Sequence, residues 1–231
     1  MVTDHREIAF EQAIEEDLLA TGEYTKGDPA GFDRQLALHP DILLNFIKES
    51  QPKAWERLET VHGSQVEQKV LHRLNQVLNQ RGMLHVLRKG FEDYGVHLQL
   101  MFPKPASRLN PDAWEQYNQN ILTITRQVKY SLKNENSIDV LISLNGLPII
   151  TMELKNPLTG QKVDHAKRQY AEDRDSKELL FQFKKRALVH FAVDPDEVYM
   201  ATKLDGHKTF FLPFNRGNNR GAGNPPNEHG F

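Results

Sequence analysis

Asp139, Glu153 and Lys155 sit in SIDVLISLNGLPIITMELKNP, Ser137 to Pro157, a stretch that otherwise reads as buried strand. Isolated burial of such groups costs several kcal/mol unless they pair or bind an ion. In a strand, residues two apart share a face, so Glu153 and Lys155 project together while Leu154 points to the opposite, apolar side. Asn145-Gly146 supplies the positive φ angles of a type I′ turn, which folds IDVLISL back against LPIITMEL and brings Asp139 level with the region of Thr151 to Glu153. Two carboxylates and an ammonium then converge at one end of a sheet. Such a set suits a hard divalent cation, because Mg²⁺ takes oxygen ligands from one or two carboxylates and keeps waters that a substrate phosphate can replace. Lys155 beside it would orient an attacking water, which is the chemistry of phosphodiester hydrolysis. The same spacing is also what a lysine ion-paired with two acids at a sheet edge would leave.

The elements that must position these groups follow from periodicity. REIAFEQAIEEDLLATG places Ile8, Phe10, Ile14, Leu18 and Leu19 at helical spacing and stops at Gly22. DILLNFIKES reads as a second helix. GSQVEQKVLHRLNQVLNQRG reads as a third, with Val66, Val70, Leu74, Val77 and Leu78 inward and Gly82 as terminator. From Met83 the pattern MLHVLRKGFEDYGVHLQLMFP alternates about a turn at Asp93 to Gly95, predicting two paired strands. A short helix around Trp114 and a strand in NILTITRQVKYS follow. After the central hairpin, closed by Pro157 and Gly160, DHAKRQYAEDR predicts a polar helix. RALVHFAVD and EVYMATKL predict strands, and DGHKTFFL a third. The tail from Asn215 is rich in glycine, asparagine and proline, as a linker would be.

Composition narrows the function classes. The 231 residues suffice for one sizeable core, and no apolar run approaches the ~18 residues of a membrane span. The acidic start is unlike a signal peptide, so a soluble, cytoplasmic protein without membrane association is expected. With no cysteine, disulfides, thiolate metal sites and a cysteine nucleophile are excluded. The net charge of −2 argues against nonspecific coating of nucleic acid, yet charge is segregated. Residues 1–60 carry 13 acidic against 6 basic side chains, whereas 155–186 carry 9 basic against 5 acidic. That later excess fits either an anionic substrate nearby or ordinary solvated helix faces.

SIDVLISLNGLPIITMELKNPLTG resembles the nuclease core of the PD-(D/E)xK superfamily, and within it the N-terminal endonuclease domain of type I restriction enzyme R (HsdR) subunits. FIKESQPKAWERL, QYNQNILTITRQVKYS, RALVHFAVDPDEVYMATKLDG, FFLPFNRG and AGNPP resemble that family in the same order, over essentially the whole chain. The resemblance implies an α/β (α+β) fold: a mixed central β-sheet flanked by helices, a restriction-endonuclease-like core with a helical N-terminal part over about 1–82. Residues 1–214 would form the nuclease domain, and 215–231 a linker leading to an ATP-driven motor. No G-x-x-x-x-G-K-[ST] loop occurs, so ATP would belong only to that motor, absent from this sequence.

The resemblance also implies roles. Asp139 and Glu153 match the metal-binding acids for Mg²⁺, with Mn²⁺ as substitute and the Leu154 carbonyl as further ligand. Lys155 matches the catalytic lysine. Glu11 falls where a first-helix glutamate is often found, although Glu7, Glu15 and Glu16 lie nearby and a solvated helix face is the competing reading. Gln169 matches the first position of a Q-x₃-Y motif whose tyrosine is replaced by Asp173, while Tyr170 directly follows the glutamine. Gln169, Lys167, Arg168 and Arg174 are expected to meet DNA. The implied activity is Mg²⁺-dependent cleavage of double-stranded DNA without base readout, in a complex with methyltransferase (M) and specificity (S) subunits. The alternative is a non-catalytic docking domain attaching the R subunit to the methyltransferase core.

Overall fold

The structure is a computed structural model that describes residues 5–156 and 160–215. Its elements, in order, are α1 (His5–Thr21), β1 (Tyr24–Lys26), α2 (Pro40–Ser50), α3 (Pro52–His62), α4 (Val66–Arg81), α5 (Met83–Lys89), β2 (Phe91–Asp93), β3 (Val96–Leu98) and α6 (Pro111–Tyr117). There follow β4 (Leu122–Lys129), β5 (Ser137–Leu144), β6 (Leu147–Leu154), α7 (Val163–Glu172), β7 (Val189–Val193), β8 (Val198–Ala201) and β9 (Leu212–Asn215). Among the described residues, seven strands form one mixed sheet in the order β1-β4-β5-β6-β7-β8-β9. β1 and β4 are parallel, as are β6 and β7, and the other neighbours are antiparallel. The fold is therefore α/β with a mixed central sheet flanked by helices.

The two faces of the hairpin strands have different partners, as strand alternation requires. Val140, Ile142 and Leu154 form a core with Ile124, against which Phe10, Ile14, Leu18 and Leu19 of α1 pack. On the other face, Thr151 meets Tyr170 of α7, and Val163 and Ala166 of that helix pack with Ala192. Helices α2–α5 and the β2–β3 hairpin enclose a third core around Leu43, Phe46, Leu74 and Leu78, which reaches the sheet at Leu147.

The central hairpin forms with Asn145 at φ 51° and Gly146 at φ 81°, as its turn chemistry requires. A Cβ on Gly146 would lie 2.5 Å from the His39 carbonyl, so only glycine lets the tip seat against the start of α2. Two expectations change. Residues 83–89 form helix α5 rather than a strand, because Met83, Val86 and Leu87 are buried at three- and four-residue spacing and Gly90, at φ 61°, ends the turn. The β2–β3 pair then begins only at Phe91. The last strand starts at Leu212, not in DGHKT, where Asp205 N donates to Thr209 Oγ1 at 2.8 Å and that hydroxyl donates to the Gly206 carbonyl at 2.7 Å, closing a turn. Of the expected tail, Asn215 ends β9, and 216–231 lie outside the described residues, as does Pro157.

Candidate active site

A break in strand register aligns the carboxylates. Near the turn, Leu144 pairs with Leu147 and Ser143 with Pro148, but Ile142 pairs with Ile150, leaving Ile149 as an extra residue. Pro148 has no N–H to continue the ladder, and such a bulge shifts every later pair by one. Beyond it Leu141 faces Thr151 and Val140 faces Met152. The next position sets Asp139 opposite Glu153; without the bulge it would face Met152, on the other side of the sheet. The Leu154 N–H donates to Asp139 Oδ2 at 2.8 Å, tying the strands there.

Asp139, Lys155 and Glu11 line one cleft of about 740 Å³, whose far side is α7 with Arg168 and Gln169. Glu153 is fully buried and adjoins this set. Burial, reinforced by the charge of Asp139 and opposed by Arg174 and Lys155, pushes its carboxyl up to about 8. Glu11, from α1, is buried and raised to about 7, first by desolvation and then by Asp139, against the pull of Arg126. The sequence placed Glu11 near this site among three neighbouring glutamates; the structure brings it in and uses Glu15 to bind Lys26, 2.9 Å away.

Three residues of the site carried no signal in the sequence. Gln127 leaves regular strand geometry at φ 51°, a conformation costing an ordinary side chain about 1–3 kcal/mol. Its amide nitrogen donates to Glu11 Oε1 at 2.8 Å and to Asp139 Oδ1 at 3.4 Å, and its oxygen accepts from Ser137 Oγ at 2.9 Å. Arg126 donates to Glu11 Oε2 at 3.3 Å. Tyr130 backs the cleft wall through Arg174 Nη1, 3.4 Å from its hydroxyl. A glutamine in an alternating strand gives no hint of positive φ, and a strand-edge tyrosine looks like ordinary core.

The residues expected to meet DNA separate. Arg168 is exposed and Gln169 half-buried, and both line the cleft. Lys167 is tied to Asp164 at 2.6 Å and lies 3.8 Å over the Tyr199 ring. Arg174 also lines the cleft, but as a buried, ion-paired residue rather than on an exposed helix face. Helix α7 ends at Glu172, so Arg174 does not continue its exposed face, and it is buried with Nε donating to Glu153 Oε1 and Nη2 to the Ser137 carbonyl at 3.0 Å. Its pKa is raised: burial opposes the charge, and the ion pair with Glu153 outweighs burial. Asp173 is exposed on the cleft wall. Tyr170 is buried, its hydroxyl 2.9 Å from Thr151 Oγ1, and belongs to the core.

The donor set fits a hard divalent cation. Among the described residues no three His, Cys, Asp or Glu side chains cluster closely enough to cage an ion, and the acids on neighbouring strands are Asp139 and Glu153. Glu153 Oε2 is buried, with no hydrogen-bond partner among the described residues. A carboxylate oxygen left so is costly unless something else meets it. Asp139 Oδ1 accepts a long contact from Gln127, at 3.4 Å. Two hard oxygens on adjacent strands are what Mg²⁺ takes while retaining waters.

Among the described residues no helix is long and apolar enough to cross a membrane. A search of curated proteins finds no match for this chain. The family model for the type I restriction enzyme R protein N terminus matches residues 11–209. With most of its length so matched, the chain belongs to the family of type I restriction enzyme R protein N-terminal regions.

Proposed function

We propose that this region is a Mg²⁺-dependent endonuclease, of PD-(D/E)xK type, which hydrolyses phosphodiester bonds of duplex DNA without reading its sequence. The observation that carries this reading is the buried, unpartnered Glu153 Oε2 on the strand next to Asp139. Asp139, Glu153 and the Leu154 carbonyl would hold the cation. When bound, it supplies a Lewis acid for the phosphate oxygens. Lys155, a point charge with three donors and no acceptor, orients the attacking water and stabilises negative charge growing on the phosphate. Asp139, its Oδ2 held by the Leu154 N–H, stays fixed relative to the strand that carries Glu153 and Lys155. Arg168 and Gln169 across the cleft meet the sugar-phosphate backbone, a contact that positions DNA without reading bases.

Recognition then falls to methyltransferase and specificity subunits, and ATP to a motor region of the R protein. The test is to reconstitute the R protein carrying Asp139→Ala with those subunits, and to follow assembly and DNA cleavage in Mg²⁺. Loss of cleavage with assembly intact is the expected result. Cleavage at the wild-type rate would overturn the reading, and a defect in assembly alone would favour a docking role.

A further inference from the structure

We infer that the site is built for one divalent cation rather than two, with Arg174 as the positioning residue that makes it so; the inference rests on the nuclease reading above. Three carboxylates adjoin the cleft without closing into a three-ligand cage, and their oxygens are not equally available. Glu11 has both engaged, Oε1 by Gln127 at 2.8 Å and Oε2 by Arg126 at 3.3 Å. Asp139 has Oδ2 engaged by the Leu154 N–H at 2.8 Å. Glu153 has Oε1 engaged by Arg174. Among the described residues the least engaged oxygens are one on each strand: Glu153 Oε2, which has no hydrogen-bond partner, and Asp139 Oδ1, which has the 3.4 Å contact from Gln127.

Two carboxylate oxygens, with waters, satisfy one Mg²⁺. A second ion would sit about 3.5–4 Å from the first and needs a shared carboxylate plus donors of its own. The oxygen of Glu153 that could bridge is the one Arg174 occupies. The guanidinium cannot swing away cheaply, since Nη2 is fixed on the Ser137 carbonyl and Nη1 faces the Tyr130 hydroxyl. Arg174 thus orients Glu153 with one oxygen turned from itself, and its positive charge, held on that carboxylate, repels a second cation there.

The experiment titrates this chain with Mn²⁺ alone, reading free ion by electron paramagnetic resonance, for wild type, Arg174→Gln and Arg174→Lys, each checked for folding by circular dichroism. Wild type is expected to bind one ion. Two ions would overturn the inference while leaving the nuclease reading intact, and no binding up to millimolar Mn²⁺ would remove the nuclease reading itself. Removing a unit charge beside the ion in Arg174→Gln should tighten binding by about tenfold. A folded Arg174→Gln whose affinity is unchanged or weaker would make Arg174 a structural ion-pair partner only. Arg174→Lys keeps the charge and should bind one ion with affinity within about threefold of wild type. If Arg174→Gln fails to fold, a second ion in Arg174→Lys overturns the inference and a single ion upholds it.

Discussion

The two ends of the β5–β6 hairpin are built from similar residue types to opposite effect. At the turn, Asn145 is buried and fully used: its N–H donates to the Ile121 carbonyl at 2.7 Å, its side-chain oxygen accepts from Ile121 N at 2.6 Å, and its amide nitrogen donates to the Leu100 carbonyl at 2.9 Å and to Asn120 at 3.0 Å. At the open end, Glu153 is equally buried, yet among the described residues its Oε2 has no hydrogen-bond partner, and Gln127, beside Asp139 on the far side of β5, is held at positive φ. A buried polar group with every partner present locks a fold, whereas one left half-satisfied marks where the fold gives up stability for a ligand. On the proposed reading, the hairpin joins a structural end to a chemical one.

Lys155→Ala is expected to break the comparison most sharply. If the open end exists for chemistry, turnover in the reconstituted enzyme should fall on the order of 10²–10³-fold at saturating DNA, while Mn²⁺ binding by the chain stays near wild type because the ligands are oxygens. Cleavage at the wild-type rate would reduce MELK to a structural ion pair. Asn145→Ala should do the reverse. It removes the side-chain partners of the Leu100 carbonyl and the Ile121 N–H, takes one of two donors from the Asn120 oxygen, and puts alanine at φ 51°. A loss of about 3–4 kcal/mol in denaturant unfolding is expected, with Mn²⁺ stoichiometry unchanged in the fraction that folds. A loss below about 1 kcal/mol would deny the turn its anchoring role.

His190, on β7 between the two ends, sharpens the comparison through pH. It is buried with Nδ1 2.8 Å from Thr151 Oγ1, and desolvation lowers its pKa from 6.5 to about 4. Between those values the unfolded chain binds a proton that the folded chain refuses. Its contribution is therefore complete above about pH 6.5 and lost as pH falls towards 4, up to about 3 kcal/mol. His190→Gln should flatten the stability curve in that window relative to wild type, as read by urea midpoints from pH 7 down to 4. Parallel curves for the two proteins would show that another group drives the acid loss.

Much of this was legible in the residues. Asn145-Gly146 between two alternating runs announced the hairpin, and D-x₁₃-E-x-K put the acids and lysine at its open end. The register was not legible: folding the chain about the turn sets Asp139 against Met152, and only the extra residue Ile149 moves it to Glu153. Nor was the engagement of Arg174, which depends on α7 stopping two residues earlier. Residues 83–89 misled because apolar positions 84 and 86 also fit a two-residue period, and a long-range contact decided the matter: Met83 N donates to the Lys184 carbonyl at 2.7 Å while Met83, Val86 and Leu87 fill the helical core. Local patterns reported local geometry. Contacts distant in sequence set the rest.

The smallest expected effect separates two neighbours that look interchangeable in AKRQY. Arg168 is exposed on the cleft wall, whereas Lys167 is absent from that lining, paired with Asp164 and covering the Tyr199 ring. A side chain that touches phosphate releases a counterion, so removing it lowers the slope of log affinity against log salt by about one unit. Arg168→Ala should therefore weaken DNA binding by the reconstituted complex and reduce that slope by about one. Lys167→Ala should leave the slope unchanged and cost at most about 1 kcal/mol of stability, from the lost contact with Tyr199. Binding measured from low to moderate salt for both variants decides between them. Equal loss of slope would mean that DNA engages the outer face of α7 as well as the cleft, and would extend the chemical end of the hairpin past the wall on which Arg168 stands.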